Sequence, residues 1–261
     1  MPSSGADRWS VWFDLDPRPG PLNMAIDQAL LERAGRHGER WLRLYRWSPH
    51  CLSFGRHERA ARRYDRERIA ATGLDLVRRP TGGRAVWHAA ELTYAIALPA
   101  ASLAGIRSTY LEIHLMLLAA LRSLEVDATL AEAMPVPSLD AGACFARPVG
   151  GEIMVAGRKV VGSAQVRETG GLLQHGSILL GDDQSMVAAV SRGDPPRDGS
   201  APLERLTGRP LPPAAVARAI ATSAAARWRG VWHEASTVTA VLAGAERLLP
   251  RFASEEWTWR A

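Results

Sequence analysis

The stretch Glu152–Leu180 reads E-I-M-V-A-G-R-K-V-V-G-S-A-Q-V-R-E-T-G-G-L-L-Q-H-G-S-I-L-L. Short β-prone runs alternate here with glycines, the pattern of a hairpin or meander rather than a helix. Upstream, Trp41–Trp47 and Cys51–Phe54 read as strands joined by a turn at Ser48-Pro49. Leu74–Arg79 and Ala85–His88 flank a second turn, Pro80-Thr81-Gly82-Gly83, and Ser10–Leu15 and Leu92–Leu98 complete the predicted strands. Helices are predicted over Asn23–Ala34 with Asn23 as N-cap, Asp65–Ala71 closed by Gly73, Ser108–Leu124, Ala214–Trp228 and Thr237–Leu249. Glu132–Gly142 and Arg192–Pro213 read as loops, the latter with room for one short helix. Strands clustered in the middle, with helices interspersed and terminal, predict an α+β fold.

The chain has 261 residues, of which 47% are hydrophobic and 23% charged, enough to build a core and too apolar for wholesale disorder. No run approaches the roughly 18 apolar residues of a membrane span, and Met1–Ser10 lacks a signal-peptide core. Two cysteines, Cys51 and Cys144, do not make a disulfide framework. The expectation is a cytoplasmic protein whose residues 1–261 form one domain, with no membrane partner. The net charge is +5. Its arginines are scattered, and the one bunch, Arg59 to Arg68, is interrupted by Asp65 and Glu67 and reads as a solvated helix face. Aromatic residues do not interleave with it, so nucleic acid is not an expected partner.

Of the 32 basic residues only Lys159 is a lysine. A coding bias toward arginine converts every lysine that arginine can replace. The survivor is therefore a candidate for a task that needs a compact amine of tunable pKa. In strand geometry Lys159 and Val161 face one side and Val160 and Gly162 the other, which sets the amine against apolar surface. The Gly82-Gly83 turn, with Arg79, Arg84 and His88 around it, can approach and hold a phosphate, a carboxylate or an acyl carbonyl; an ordinary hairpin turn gives the same pattern. His175 precedes Gly176-Ser177 in a similar bend, as either a structural or a catalytic histidine. Cys51 sits in an apolar strand and reads as a buried thiol. Cys144 falls outside any regular pattern, and a neighbouring ammonium would raise its thiolate fraction. No His and Cys spacing suits a metal.

Taken together, N-M-A-I-D-Q-A-L-L, R-R-P-T-G-G-R-A-V-W-H followed by E-L-T-Y, and G-R-K-V-V-G-S-A-Q followed by L-L-Q-H-G-S-I-L-L resemble the lipoate–protein ligase A/octanoyltransferase family. The resemblance spans about residues 20–235 and implies the biotin/lipoate ligase fold, a mixed, largely antiparallel sheet with flanking helices. The C-F at Cys144 further resembles the Cys-dependent octanoyltransferase branch. In that branch the cysteine carries the acyl group and the lysine lowers its pKa, which implies Cys144 and Lys159 as catalytic residues. The implied substrate-binding set is Arg79, Gly82, Gly83, Arg84, Ala85 and His88, with Gly162, Ser163 and His175. Backbone amides near Gly162-Ser163 are candidates to bind the oxyanion. The branch commonly has Ser-x-Tyr where this chain has Val149-Gly150-Gly151.

The implied donor is octanoyl acyl carrier protein. The implied acceptors are lipoyl domains, such as the glycine cleavage H protein or 2-oxoacid dehydrogenase subunits. A thioester is already activated, so no cofactor is implied, and no Walker motif is present. Three other readings stay open: an ATP- and Mg-dependent lipoate ligase with a separate accessory chain, an amidotransferase between lipoyl domains, and a non-catalytic module that binds acyl groups or carrier proteins.

Overall fold

The computed structural model describes residues 7–102, 105–131, 151–193 and 199–260. Its main sheet has six strands in the order β10 (Val161–Glu168), β11 (Gly171–Leu179), β6 (Glu91–Pro99), β2 (Arg40–Trp47), β1 (Arg8–Arg18) and β12 (Val231–Glu234). β1 runs parallel to β2 and β12, and the other pairings are antiparallel. β6 shows how the two faces are built. Leu92, Tyr94, Ile96 and Leu98 join one apolar cluster, and Ala95 and Ala97 join the other. Large side chains on the first face pack against α4 (Ile106–Ser123) and α7 (Pro213–Arg227). Small ones on the second admit α1 (Gly20–His37), backed by α8 (Thr239–Ala253). Helix α1 is the crossover that a parallel β1–β2 pair requires.

Two smaller sheets flank the main one: β4 (Asp75–Arg78), β3 (Cys51–Phe54) and β5 (Val86–His88), and β7 (Ala128–Leu130), β8 (Ile153–Val155) and β9 (Arg158–Lys159). Short helices α2 (Ala60–Arg63), α3 (Arg66–Ala71), α5 (Ser185–Ala189), α6 (Leu203–Thr207) and α9 (Glu255–Trp259) fill the connections. Arg59, Arg62, Arg66 and Arg68 are exposed, as a solvated face should be. Cys51 is buried, and that burial pushes its thiol well above the ordinary value. No helix among the described residues is long and apolar enough to cross a membrane.

The structure departs from the sequence reading at several points. Helix α1 starts at Gly20 behind Pro19, with Pro21 in its first turn, where a missing N–H costs nothing. Asn23 is therefore not the N-cap. It lies buried in the helix and donates to the carbonyls of Arg18 and Arg46. β4 and β5 do not pair across the Gly82-Gly83 turn, because β3 lies between them and pairs with both. The alternation predicted through Lys159 breaks at Val160, where the chain passes from the small sheet (β9) into the main one (β10). β12 and α9 were not predicted: V-W-H-E and E-E-W-T-W are too short to show a period. Helix α8 continues through Pro250 into its last turn.

The core is pinned by a charge. Arg43 of β2 has no exposed surface, and each of its five N–H groups has an acceptor. Nε and Nη2 donate to Asp14 of β1 at 3.0 and 2.7 Å. Nη1 donates to Asp27 at 2.9 Å and to the Asn23 carbonyl at 3.2 Å, and Nη2 also reaches Asn23 Oδ1 at 2.6 Å. Its guanidinium lies 3.9 Å from the Tyr45 ring centroid. Arg43→Met is expected to lower stability by about 3–5 kcal/mol, because Asp27 stays buried without its guanidinium and Asp14 keeps only Arg18. Arg18→Met, which breaks a half-exposed pair with the same Asp14, should cost under about 1 kcal/mol. Urea unfolding of the two variants checks the contrast, and equal losses would refute it.

Candidate active site

A small cleft opens among helix α1, Arg79 and the strands β2, β5, β6, β10 and β11. Met24, Tyr45, Trp47 and Val86 give it apolar walls, and Arg79, His88, Thr93, Ser163, His175 and Ser177 bring polar groups. Gly176 lies in the floor, where a Cβ would stand 2.7 Å from both the Tyr94 ring and the Gly162 carbonyl, so only glycine fits. The Ser177 hydroxyl is buried in the wall and makes no hydrogen bond among the described residues. It is placed to meet a polar group of a bound molecule.

The three sequence motifs meet at this cleft. Asp27 of α1 accepts from Tyr45 Oη and from His175 Nδ1, both at 2.8 Å. The far nitrogen of His175, Nε2, lies 2.6 Å from the Thr81 hydroxyl in the turn. The carboxylate that neutralises Arg43 thus also orients the histidine that holds the glycine turn. Arg79 clamps the same turn from the other side: Nη2 donates to the carbonyls of Gly82 and Arg84, and Nη1 to the carbonyl and hydroxyl of Ser53. The turn packs backbone to backbone on Gly55, where a Cβ would come within 1.8 Å of the Gly83 carbonyl.

His88 stacks on Trp47 with centroids 3.9 Å apart. Ser53 Oγ, which accepts from Arg79 Nη1, lies 2.6 Å from His88 Nε2. His88 Nδ1 lies 3.1 Å from Glu91 Oε1. Burial pushes this ring below its ordinary pKa against the pull of Glu91, which keeps it neutral.

Lys159 is buried at the seam between β9 and β10, and its Nζ donates to Glu152 Oε1 at 2.5 Å. Its backbone is held by Gly199 and Ala201. Three residues past the break at Val160 is Ser163. The Leu179 amide bonds to the Val160 carbonyl, so ladder alternation gives Gly162 the next bonds to β11. Ser163 accordingly turns its own N–H and carbonyl toward the sheet edge. Its hydroxyl lies 2.9 Å from His114 Nε2, and His114 Nδ1 lies 2.6 Å from the Gly151 carbonyl.

Of the residues expected to bind substrate, Arg79, His88, Gly162, Ser163 and His175 line the cleft. Gly82, Gly83 and Arg84 lie in the turn between the lining residues Arg79 and Val86 and do not themselves line the cleft, and Ala85 belongs to an apolar cluster with Phe54 and Tyr64. Cys144 and the Glu132–Gly142 loop lie outside the described residues. The sequence reading missed Asp27, Ser53, Glu91, His114 and Glu152 as polar partners. Asp27 stood in a quoted motif, and a buried lysine needs a counter-charge such as Glu152. Nothing in the pattern of α4 marked His114.

The family profile described as lipoyl protein ligase A/B catalytic domain matches residues 19–225. The octanoyltransferase LipM of Kyrpidia tusciae is 36% identical over 261 residues, covering 92% of this chain and 94% of that protein. That of Carboxydothermus hydrogenoformans is 44% identical over 175 residues, covering 66% and 65%. Among solved structures, lipoate-protein ligase A bound with ATP superposes with a TM-score of 0.81 at 21% identity, covering 96% of this chain and 98% of that one. The Thermoplasma acidophilum protein Ta0514 with bound lipoic acid gives 0.78 at 21%, covering 97% and 99%. At that identity the structures speak for the fold alone.

Burial first, and then the Lys159 charge, hold the His114 ring at a pKa of about 4, against the pull of the Gly151 carbonyl. An unfolded histidine titrates near 6.5, so as pH falls the unfolded chain takes up a proton that the folded chain refuses. The stabilisation is full above pH 6.5 and is lost downward, levelling near pH 4. The stability difference between the wild-type chain and His114→Gln should shrink by about 3 kcal/mol between pH 7 and pH 4. Urea midpoints at the two pH values measure it, and a constant difference would refute the assignment.

Proposed function

The chain belongs to the lipoyl protein ligase A/B catalytic-domain family, and we propose that it transfers an octanoyl group from acyl carrier protein to the lysine of a lipoyl domain, a step of lipoate biosynthesis. The observation that carries this reading is the 36% identity to LipM over 94% of that protein's length. The chain's one lysine supports it, buried and ion-paired two residues before a strand that lines the cleft.

In the proposed reaction the Cys144 thiolate attacks the carbonyl of the octanoyl thioester. The bond to the carrier's sulfur breaks, and the carrier leaves as its thiol. The neutral amine of the acceptor lysine then attacks the acyl-cysteine, the thiolate of Cys144 departs and an amide remains. The Lys159 ammonium favours the thiolate over the thiol. The acyl chain lies along Met24, Trp47 and Val86. Arg79 and His175 keep the glycine turn in place beside it, and His88, neutral, backs the wall. The edge-facing amide of Ser163 is aimed to receive the carbonyl oxygen as it gains charge. No ATP or metal enters, because the thioester supplies the activation. The net charge of +5 suits an acidic carrier protein and speeds encounter. The acceptors are lipoyl domains of the glycine cleavage H protein and 2-oxoacid dehydrogenase kind, in the cytoplasm.

Mixed with octanoyl acyl carrier protein and no ATP, the protein should gain one octanoyl group by intact mass, mapped to Cys144 and lost in Cys144→Ala. Lys159→Arg should slow that single turnover by about 10²-fold or more, because arginine keeps the charge and loses the compact amine. Modification of a lipoyl domain only with free acid and ATP, with Cys144→Ala still active, would replace this reading by a ligase.

A further inference from the structure

His114 was not marked by the sequence, yet it closes a largely buried line of polar groups that ends at the segment holding the lysine. Gln165 Nε2 donates to Gln174 Oε1 at 2.6 Å, and Gln174 Nε2 donates to Tyr94 Oη at 2.8 Å. Tyr94 Oη is 2.8 Å from Ser163 Oγ, which is 2.9 Å from His114 Nε2. His114 Nδ1 is 2.6 Å from the Gly151 carbonyl. Tyr94, Gln174 and His114 are fully buried.

The ends of the line fix the direction of every proton in it. A carbonyl oxygen only accepts, so Nδ1 carries the ring proton. A neutral ring then accepts at Nε2, so Ser163 donates to His114 and accepts from Tyr94. Tyr94 in turn accepts from Gln174. Burial and the nearby Lys159 charge keep the ring neutral, which makes it unfit to serve as the base in transfer.

The two bonds of this ring span the site. Gly151 precedes Glu152, whose carboxylate holds Lys159. Ser163 lies on the edge of β10 and lines the cleft. We propose that His114 is a positioning residue for acyl transfer: its ring sets the spacing between the Gly151-Glu152 segment that holds Lys159 and the Ser163 edge that faces the substrate. The catalytic part of this proposal rests on the transfer reading above.

The test exploits the single lysine. Protein labelled with [¹⁵N]lysine gives one Nζ resonance, which reports the surroundings of Lys159 without any assay of activity. Three variants divide the two bonds. His114→Leu removes both, His114→Asn keeps a donor for Gly151, and His114→Gln keeps an acceptor for Ser163. The Nζ resonance should move in the Leu and Gln variants and return toward the wild-type position in Asn. Single-turnover octanoylation should fall between about 10- and 10²-fold in Leu with the donor KM unchanged, and Asn should restore part of it.

An unmoved resonance together with an unchanged rate in a cooperatively folding Leu variant would overturn the proposal. If Leu does not fold, coinciding resonances for Asn and Gln would overturn it equally. Absence of octanoyl uptake by the wild-type chain would sink the transfer reading and the catalytic part with it. The resonance comparison would then still decide whether His114 holds Lys159 in place.

Discussion

A guanidinium taken out of water must find an acceptor for every N–H, and Arg43 finds all five inside the protein. The acceptors come from β1 and from one face of α1, where Asn23 and Asp27 stand four residues apart. The helix therefore has one rotation and one height at which it can dock on the sheet. A buried ion pair of this kind adds less net stability than an apolar core of the same volume. It does make every alternative packing costly, because any shift leaves a charge unpaired.

The same constraint reaches the cleft. Asp27 has two oxygens, and the second serves Tyr45 and His175. His175 then meets Thr81 in the glycine turn. The glycine turn is thus tied to the core by an unbroken polar line from β1 through β2, α1 and β11. From the other side it is held by Arg79 and by the backbone contact between Gly55 and Gly83. A turn rich in glycine is soft by itself; here its surroundings supply the rigidity that a binding site needs.

Lys159 solves a different problem. It is buried at the point where the chain leaves the small sheet for the main one, paired with Glu152. An arginine at this position would need a planar fork of acceptors and more room. An amine needs only a small pocket and a carboxylate. That difference accounts for one lysine surviving among 32 basic residues.

Much of this was legible in the residues. The glycine-punctuated strands, the helices α4, α7 and α8, the unusual lysine and the three motifs carry local signals that need no tertiary context. The motifs together carried the family. Local signals could not show that β3 separates β4 from β5, because pairing is chosen by the sheet as a whole. They gave Asn23 a capping role because asparagine commonly caps helices, whereas its buried amide serves the carbonyls of two other strands' ends. They gave no hint of His114, whose partners lie 37 and 49 positions along the chain. Sequence alone determined which residue types were present for the chemistry and where the longer helices and strands lie. Only the tertiary structure decided which polar groups meet, because burial forces each of them to find a partner wherever the folded chain supplies one.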